Sequence, residues 1–270
     1  MQVDLTRGGI TRPMLLFAGP MIAGDLLQQC YNIADTLIVG RALGPTALAA
    51  VGFSFTLMTF LTSVLLGLCM GSGALWSMLY GAGREEELKR CLFASFVFIG
   101  AVAVALNIGV LALLEPVMSL LQTPAEAWEQ TNAYLRVVLL GICFTFVYNY
   151  FACLLRSVGN SAAPLVFLGV SAVLNIVLDL VFVLVLDRGV AGAAEATVIA
   201  QAVSAACIAL YAFCKVPKLR PHRSEMKLRR QTVGKIFSYS FLTCVQQSVM
   251  NFGILMIQGL VNSFGVDVMA

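Results

Sequence analysis

Few side chains able to do ion chemistry lie inside the apolar stretches of this chain, and those few are patterned. Asp35 closes a polar stripe: Pro20, Gly24, Gln28, Tyr31 and Asp35 stand at i, i+4, i+8, i+11 and i+15, one continuous face of a helix. Asp179 closes a second stripe, with Asn175 one turn earlier and Ser171 a turn before that. Thr197, Gln201 and Ser204 form a third, and Tyr134, Thr145, Tyr148, Asn149 and Arg156 give a further segment polar positions. A charged side chain at a membrane-helix centre costs about 2.5–3.5 kcal/mol on insertion scales. Such groups must therefore turn toward protein or a water-filled cavity. Two carboxylates with amide and hydroxyl oxygens around them suit a proton or Na+. The blander alternative is that Asp35 and Asp179 only hydrogen-bond neighbouring helices.

The elements that must position these residues are membrane spans. The chain of 270 residues is 60% hydrophobic and only 11% charged, with a mean hydropathy of +0.90. A soluble domain carries about twice that charged fraction. A span needs roughly 20 apolar residues, and seven candidates are expected, over 14–39, 48–80, 91–114, 134–155, 164–186, 191–213 and 236–264. The polar N-terminus, with no small-residue cleavage site after the first apolar run, does not read as a cleavable signal. The eight cysteines, at 30, 69, 91, 143, 153, 207, 214 and 244, lie in or beside apolar segments without a C-x-x-C pair, and read as small core residues. The single histidine, His222, lies in a basic loop, which leaves no imidazole for a metal site or a catalytic dyad.

Basic residues set the expected orientation. With a cytoplasmic N-terminus, 14 of the 17 Lys and Arg fall on the cytoplasmic side, and only Arg41, Arg136 and Arg188 fall outside. An acidic external loop is expected over 115–130, with a short interfacial helix around 116–121. Tight turns are expected at Gly159-Asn160 and at Asp187-Arg188-Gly189. The segment 215–235 has eight basic residues, Pro217 and Pro221. It reads as an anchor on anionic headgroups and as a tether between two lobes. Topology accounts for its charge, so no nucleic-acid partner is expected.

The two-lobe reading rests on an internal repeat. Gln28-Gln29 followed by Leu43-Gly44 is echoed by Gln246-Gln247 followed by Phe264-Gly265. Six spans separate the copies, an even number, so the repeats are expected to be parallel and related by an axis along the membrane normal. The expected organisation is a six-helix lobe over 1–214, a basic linker over 215–235, and the first helix of an incomplete second lobe over 236–270. The expected fold class is thus an all-α polytopic membrane protein, one six-helix lobe of a two-lobed transporter plus a seventh transmembrane helix.

Other residues carry weaker signals. Asp25 is expected to face a neighbouring helix, and Glu195 to lie at the interface. Arg156 is expected to anchor the cytoplasmic end of its span. Gly67 and Gly71 have the G-x-x-x-G spacing of close helix packing. Pro20 removes a backbone hydrogen bond inside its helix and reads either as a static kink or as a hinge.

Several runs together resemble one family. These are Pro20…Gln28-Gln29-x-Tyr31-Asn32-x-x-Asp35-Thr36-x-x-Val39-Gly40-Arg41, then Arg156-Ser-x-Gly159-Asn160, then Asn175-x-x-x-Asp179 followed by Gly189-Val-Ala-Gly192 and Thr197. The combination is similar to the multidrug and toxic compound extrusion (MATE) transporters, over the whole chain. The resemblance implies a twelve-helix, two-lobed antiporter of the bacterial cytoplasmic membrane. It would export small cationic amphipathic substrates in exchange for H+ or Na+, with no cofactor and no enzyme activity. Carried over by position, Asp35, Asn175, Asp179 and Thr197 would couple the ion. Gln28, Tyr31, Asn32, Tyr134 and Asn149 would line the substrate path, and Pro20 would be the bending point. Here the chain departs from the pattern, since only the first helix of a second lobe is present, and a missing C-terminal lobe is implied.

Three other readings compete. A lipid-linked oligosaccharide flippase of the same superfamily would favour a basic lumen, where this chain places two aspartates. A membrane-embedded aspartyl protease would need a G-x-G-D motif, which neither aspartate has. A non-transporting half-transporter fragment would need a partner chain.

Overall fold

The computed structural model describes residues 11–121, 123–216, 226 and 228–262; for Arg12 and for 254, 255 and 258–262 it describes backbone only. Every element among them is helical: α1 (Thr11–Leu43), α2 (Pro45–Gly81), α3 (Glu85–Ala112), α4 (Leu114–Leu120), α5 (Ala125–Leu140), α6 (Ile142–Ser157), α7 (Ala162–Asp179), a π-helical turn (Leu180–Val185), α8 (Gly189–Lys215) and α9 (Arg230–Asn262). Four stretches are long and apolar enough to cross a membrane alone: α2, α3, α7 with its π turn, and α8. Helices α5 and α6, bent by 45° against each other, make a fifth when taken together. Helices α1 and α9 have the length, 33 residues each, but their polar residues dilute the apolar run. The chain is a multi-pass membrane protein.

The expected boundaries need three corrections. The fourth span begins at Ala125 rather than at 134, and it breaks at Gly141. A Cβ there would lie 3.0 Å from Val198 Cγ2 and 3.2 Å from Gln201 Oε1, so glycine is what admits α8 against the break. The short helix expected around 116–121 forms as α4, but the expected loop over 115–130 ends early, at Ala125, where α5 starts. The seventh helix starts at Arg230, inside the expected linker, because basic residues extend a helix past the membrane as readily as they end one. Within that linker, residues 217–225 (His222, Pro217 and Pro221 included) and 227 lie outside the described residues, as does the repeated motif at Gly265.

Both expected turns form, with positive φ at Gly159 (84°), Asp187 (50°) and Gly189 (61°). Asp25 is exposed, contrary to its expected helix partner. Glu195 pairs with Arg188, whose guanidinium also lies 5.8 Å over the Phe182 ring. All eight cysteines are free; Cys69, Cys91 and Cys153 are buried, whereas Cys30 and Cys214 are exposed rather than core.

Two packing zones hold the bundle. The larger one joins α2, α3, α5, α6, α8 and α9 around Leu65, Trp76, Leu88, Leu139, Leu155 and Ile236. The second lies near the α1–α2 turn, where Val39, Ala47, Val51, Tyr134, Val183 and Ala193 meet. Between lipid-embedded helices the hydrophobic effect gives little, so contact area and small residues decide closeness. The glycine pair of α2 shows this directly. A Cβ on Gly67 would fall 2.6 Å from Cys244 Cα, and one on Gly71 2.5 Å from Ser240 Cα. The partner of the G-x-x-x-G face is α9. Beside it the Ser72 and Ser240 hydroxyls are 3.0 Å apart, and Ser240 also donates to the Leu68 carbonyl at 3.1 Å.

Candidate functional site

Helices α1, α7, α5 and α8 converge on the two aspartates. Asp35 is half-buried near the end of α1, and Asp179 is the fully buried last residue of α7. Their carboxyl groups are close enough to act directly on one another. No basic side chain acts on either one among the described residues. Oxygen Oδ1 of each is buried without a hydrogen-bond partner. Two carboxylates placed this way repel each other unless a proton or cation lies between them.

Asn175 fixes Asp179 from one turn below. With Asp179 ionised, the Asn175 side-chain nitrogen donates to Asp179 Oδ2 at 2.8 Å and its oxygen accepts from the Thr197 hydroxyl and backbone N–H, each at 3.2 Å. Asn175 is 1% exposed and Thr197 6%, so these bonds form away from bulk water, where an unpaired polar group is costly. Tyr31, from α1, and Tyr134, from α5, lie close to Thr197 and to both carboxyl groups. Residues of four helices thus gather around the pair.

The remaining polar stripes serve helix pairing. Ser171 donates to the Ala200 carbonyl at 3.1 Å and Ser204 to the Phe167 carbonyl at 3.0 Å, joining α7 to α8. Gln201 turns the other way and accepts from Thr145 on α6 at 2.8 Å. Tyr148 donates to the Pro164 carbonyl at 3.0 Å, and Arg156 Nε is buried without a partner among the described residues.

The structure does not draw every candidate to the pair. Asn149 bonds the Thr145 carbonyl of its own helix at 2.9 Å, and no contact links it to either aspartate. Gln28 donates to Asn32 Oδ1 at 3.3 Å, and Asn32 in turn donates to Gln29 Oε1 at 3.3 Å, a local ladder along α1. Pro20 lies within α1, which runs unbroken through it. The sequence pattern did not signal the π turn that starts directly after Asp179. There the backbone ladder widens by one residue, a departure frequent at functional sites, and no glycine or proline marks it.

Comparison with known proteins places this arrangement. The MatE family model matches residues 20–181, the stretch that carries both aspartates. The chain is 29% identical over 267 residues to the "Probable multidrug resistance protein YpnP" of Bacillus subtilis (strain 168), covering 99% of this chain and 60% of that protein. It is 33% identical over 199 residues to the "Probable multidrug resistance protein YoeA" of the same organism, covering 72% and 43% respectively. The chain therefore spans about half the length of these relatives. Among solved structures it resembles the outward-facing conformation of a multidrug resistance MATE family transporter of the MOP superfamily. That match has a TM-score of 0.86 at 26% identity, over 94% of this chain and 56% of the other. The family match over most of the helices, together with the shared fold, shows that this chain belongs to the MATE family of membrane transporters.

Proposed function

We propose that this chain forms the ion-coupling half of a multidrug efflux antiporter, exporting small cationic amphipathic molecules in exchange for H+ or Na+. The observation that carries the reading is the carboxyl pair Asp35–Asp179, braced by the Asn175–Thr197 bridge and without a basic partner among the described residues. One proton between the two carboxyls relieves their repulsion, and its loss restores that repulsion. The cost of the deprotonated pair then depends on how closely α1 approaches α7, so proton release favours a conformer with the two helices apart. Ion binding thereby shifts the populations of two states, as coupling requires. A cationic substrate competes with the proton for the same negative charge.

Asn175 holds Asp179 and Thr197 together beside the pair, and its amide serves either ion: its nitrogen can donate to an ionised Asp179, or its oxygen can join the oxygen shell of a hard cation. Pro20 supplies the bending point of α1, and Gln28 and Asn32 line the substrate path. The N-terminus is cytoplasmic, by the distribution of Lys and Arg, in a bacterial cytoplasmic membrane. The relatives' additional length corresponds to a second lobe that completes the transporting unit.

The test is Asp35→Asn, and separately Asp179→Asn, in the full-length protein expressed in drug-sensitive cells. Each is expected to abolish resistance at normal membrane abundance; retained resistance would remove the site assignment. Vesicles with an imposed pH gradient or Na+ gradient then separate the ions. Transport driven by neither gradient would overturn the antiport reading.

A further inference from the structure

The outer side of the α1–α7 seam carries a second feature. Helix α1 meets α7 closely at Gly24, whose Cβ would lie 3.9 Å from Leu165, and at Gly169, whose Cβ would lie 3.6 Å from Leu27. Beside these contacts the outer face of the seam is hollow. The hollow is an open apolar groove of about 770 Å³ whose walls include Leu27, Cys30, Tyr31, Val173 and Val177. That volume lies within the range of about 300–1,000 Å³ usual for ligand sites. A second hollow of about 260 Å³ follows it, between Leu37, Ile38 and Arg41 on one side and Leu180 and Leu184 on the other.

The two hollows lie in line along the same pair of helices. On α1, Cys30, Leu37 and Arg41 stand at i, i+7 and i+11, a single face of a helix. On the other wall Val166, Val170, Val173 and Val177 repeat at the same spacing, continued by Leu180 and Leu184 on the π turn, and all six are 41–66% exposed. Together they run from mid-span to the end of α1 and terminate at Arg41, the only charged residue along them. Arg41 is exposed and has no ion pair among the described residues. The nearby Arg188, by contrast, is committed to Glu195 and Phe182.

A long apolar channel with one cation at its interfacial end has the shape of an anionic phospholipid: chain along the valines, phosphate at the guanidinium. We propose that the α1–α7 groove is a binding site for a membrane phospholipid with a net negative headgroup, held through Arg41. Tyr31 lines this groove and lies close to the carboxyl pair, so a bound lipid rests against the outer wall of the candidate ion site. The inference needs only the membrane placement of the chain and does not depend on what it transports.

Native mass spectrometry of the purified chain, presented with equal phosphatidylglycerol and phosphatidylcholine of identical acyl chains, tests the site. One basic residue near an anionic headgroup is worth a preference of about fivefold. Retention of phosphatidylglycerol over phosphatidylcholine by about that factor is expected. The preference should vanish in Arg41→Ala, persist in Arg41→Lys, and persist in Arg136→Ala, whose arginine lies outside the groove and bonds Asn132. Maleimide labelling of Cys30, exposed in the groove, should slow with phosphatidylglycerol and not with phosphatidylcholine. Equal retention of the two lipids, or a preference that survives Arg41→Ala, would overturn the proposal. None of these readouts requires transport, so their failure would leave the antiport reading to its own test.

Discussion

Two seams of this bundle solve the same packing problem in opposite ways. Between α2 and α9 the backbones touch, because Gly67 and Gly71 present no Cβ to Ser240 and Cys244. Only two hydroxyls intervene nearby, and they bond each other. Between α1 and α7 the helices meet at Gly24 and Gly169, carry Tyr31 and the carboxyl pair on one side, and leave a valine-lined groove on the other. The first seam leaves no room for a ligand. The second holds unpaired carboxyl oxygens and open volume. Small residues at helical spacing make contact, whereas bulky and charged residues at the same spacing make space; chemistry belongs in the second.

The comparison can be broken most forcefully at Gly71. Gly71→Ala places a methyl 2.5 Å from Ser240 Cα, which backbone must yield to, and overpacking of this kind costs about 3 kcal/mol. Thermal unfolding in detergent should show a clear loss, and an unchanged midpoint would mean that the seam is looser than described. On the open seam, Asn175→Leu strands Asp179 Oδ2 and the Thr197 hydroxyl. Leaving buried groups unpaired costs about 1–3 kcal/mol, and the same unfolding assay should detect it. Thr197→Val should cost less, because Asn175 keeps its bond to Asp179.

Smaller effects sharpen the contrast. A Cβ on Gly52, on the same α2, meets nothing within 4 Å; Gly52→Ala should therefore stabilise by about 0.5–1 kcal/mol through backbone entropy. Destabilisation there would show that position on α2, not closeness to α9, governs glycine. The smallest effect expected is the Ser72–Ser240 coupling. A double-mutant cycle with alanine at both should return about 0.6 kcal/mol, the mean for hydrogen bonds between membrane helices.

Much of the fold was legible because membrane insertion writes itself into composition. Apolar runs, turn residues at Gly159-Asn160 and Asp187-Gly189, and the short helix after Leu113 all follow from local sequence. The fourth span was started too late because Glu129, Gln130, Thr131 and Asn132 look like loop residues in a hydropathy reading. In the structure Thr131 is satisfied by the Ala127 carbonyl and Arg136 by Asn132, so helix continues through them. The candidate site was legible at Asp35, Asn175, Asp179 and Thr197 because a polar stripe has no other reason to interrupt an apolar span. Asn149 was less informative, since a carbonyl of its own helix satisfies it.

The sequence by itself determined the class of the protein, the approximate places of most spans and the residues that cannot face lipid, because each depends only on local polarity and helical period. Three things were left to tertiary structure. G-x-x-x-G spacing announces a close contact without naming its partner, and the fold supplied α9. A polar stripe announces a need for partners, and packing decided that Ser171 and Ser204 bond α8 and α7 carbonyls while Asp179 meets Asp35. The groove along α1 and α7 is visible in no single helix, since an exposed valine stripe reads as lipid-facing until a second helix with Arg41 at its end lies beside it.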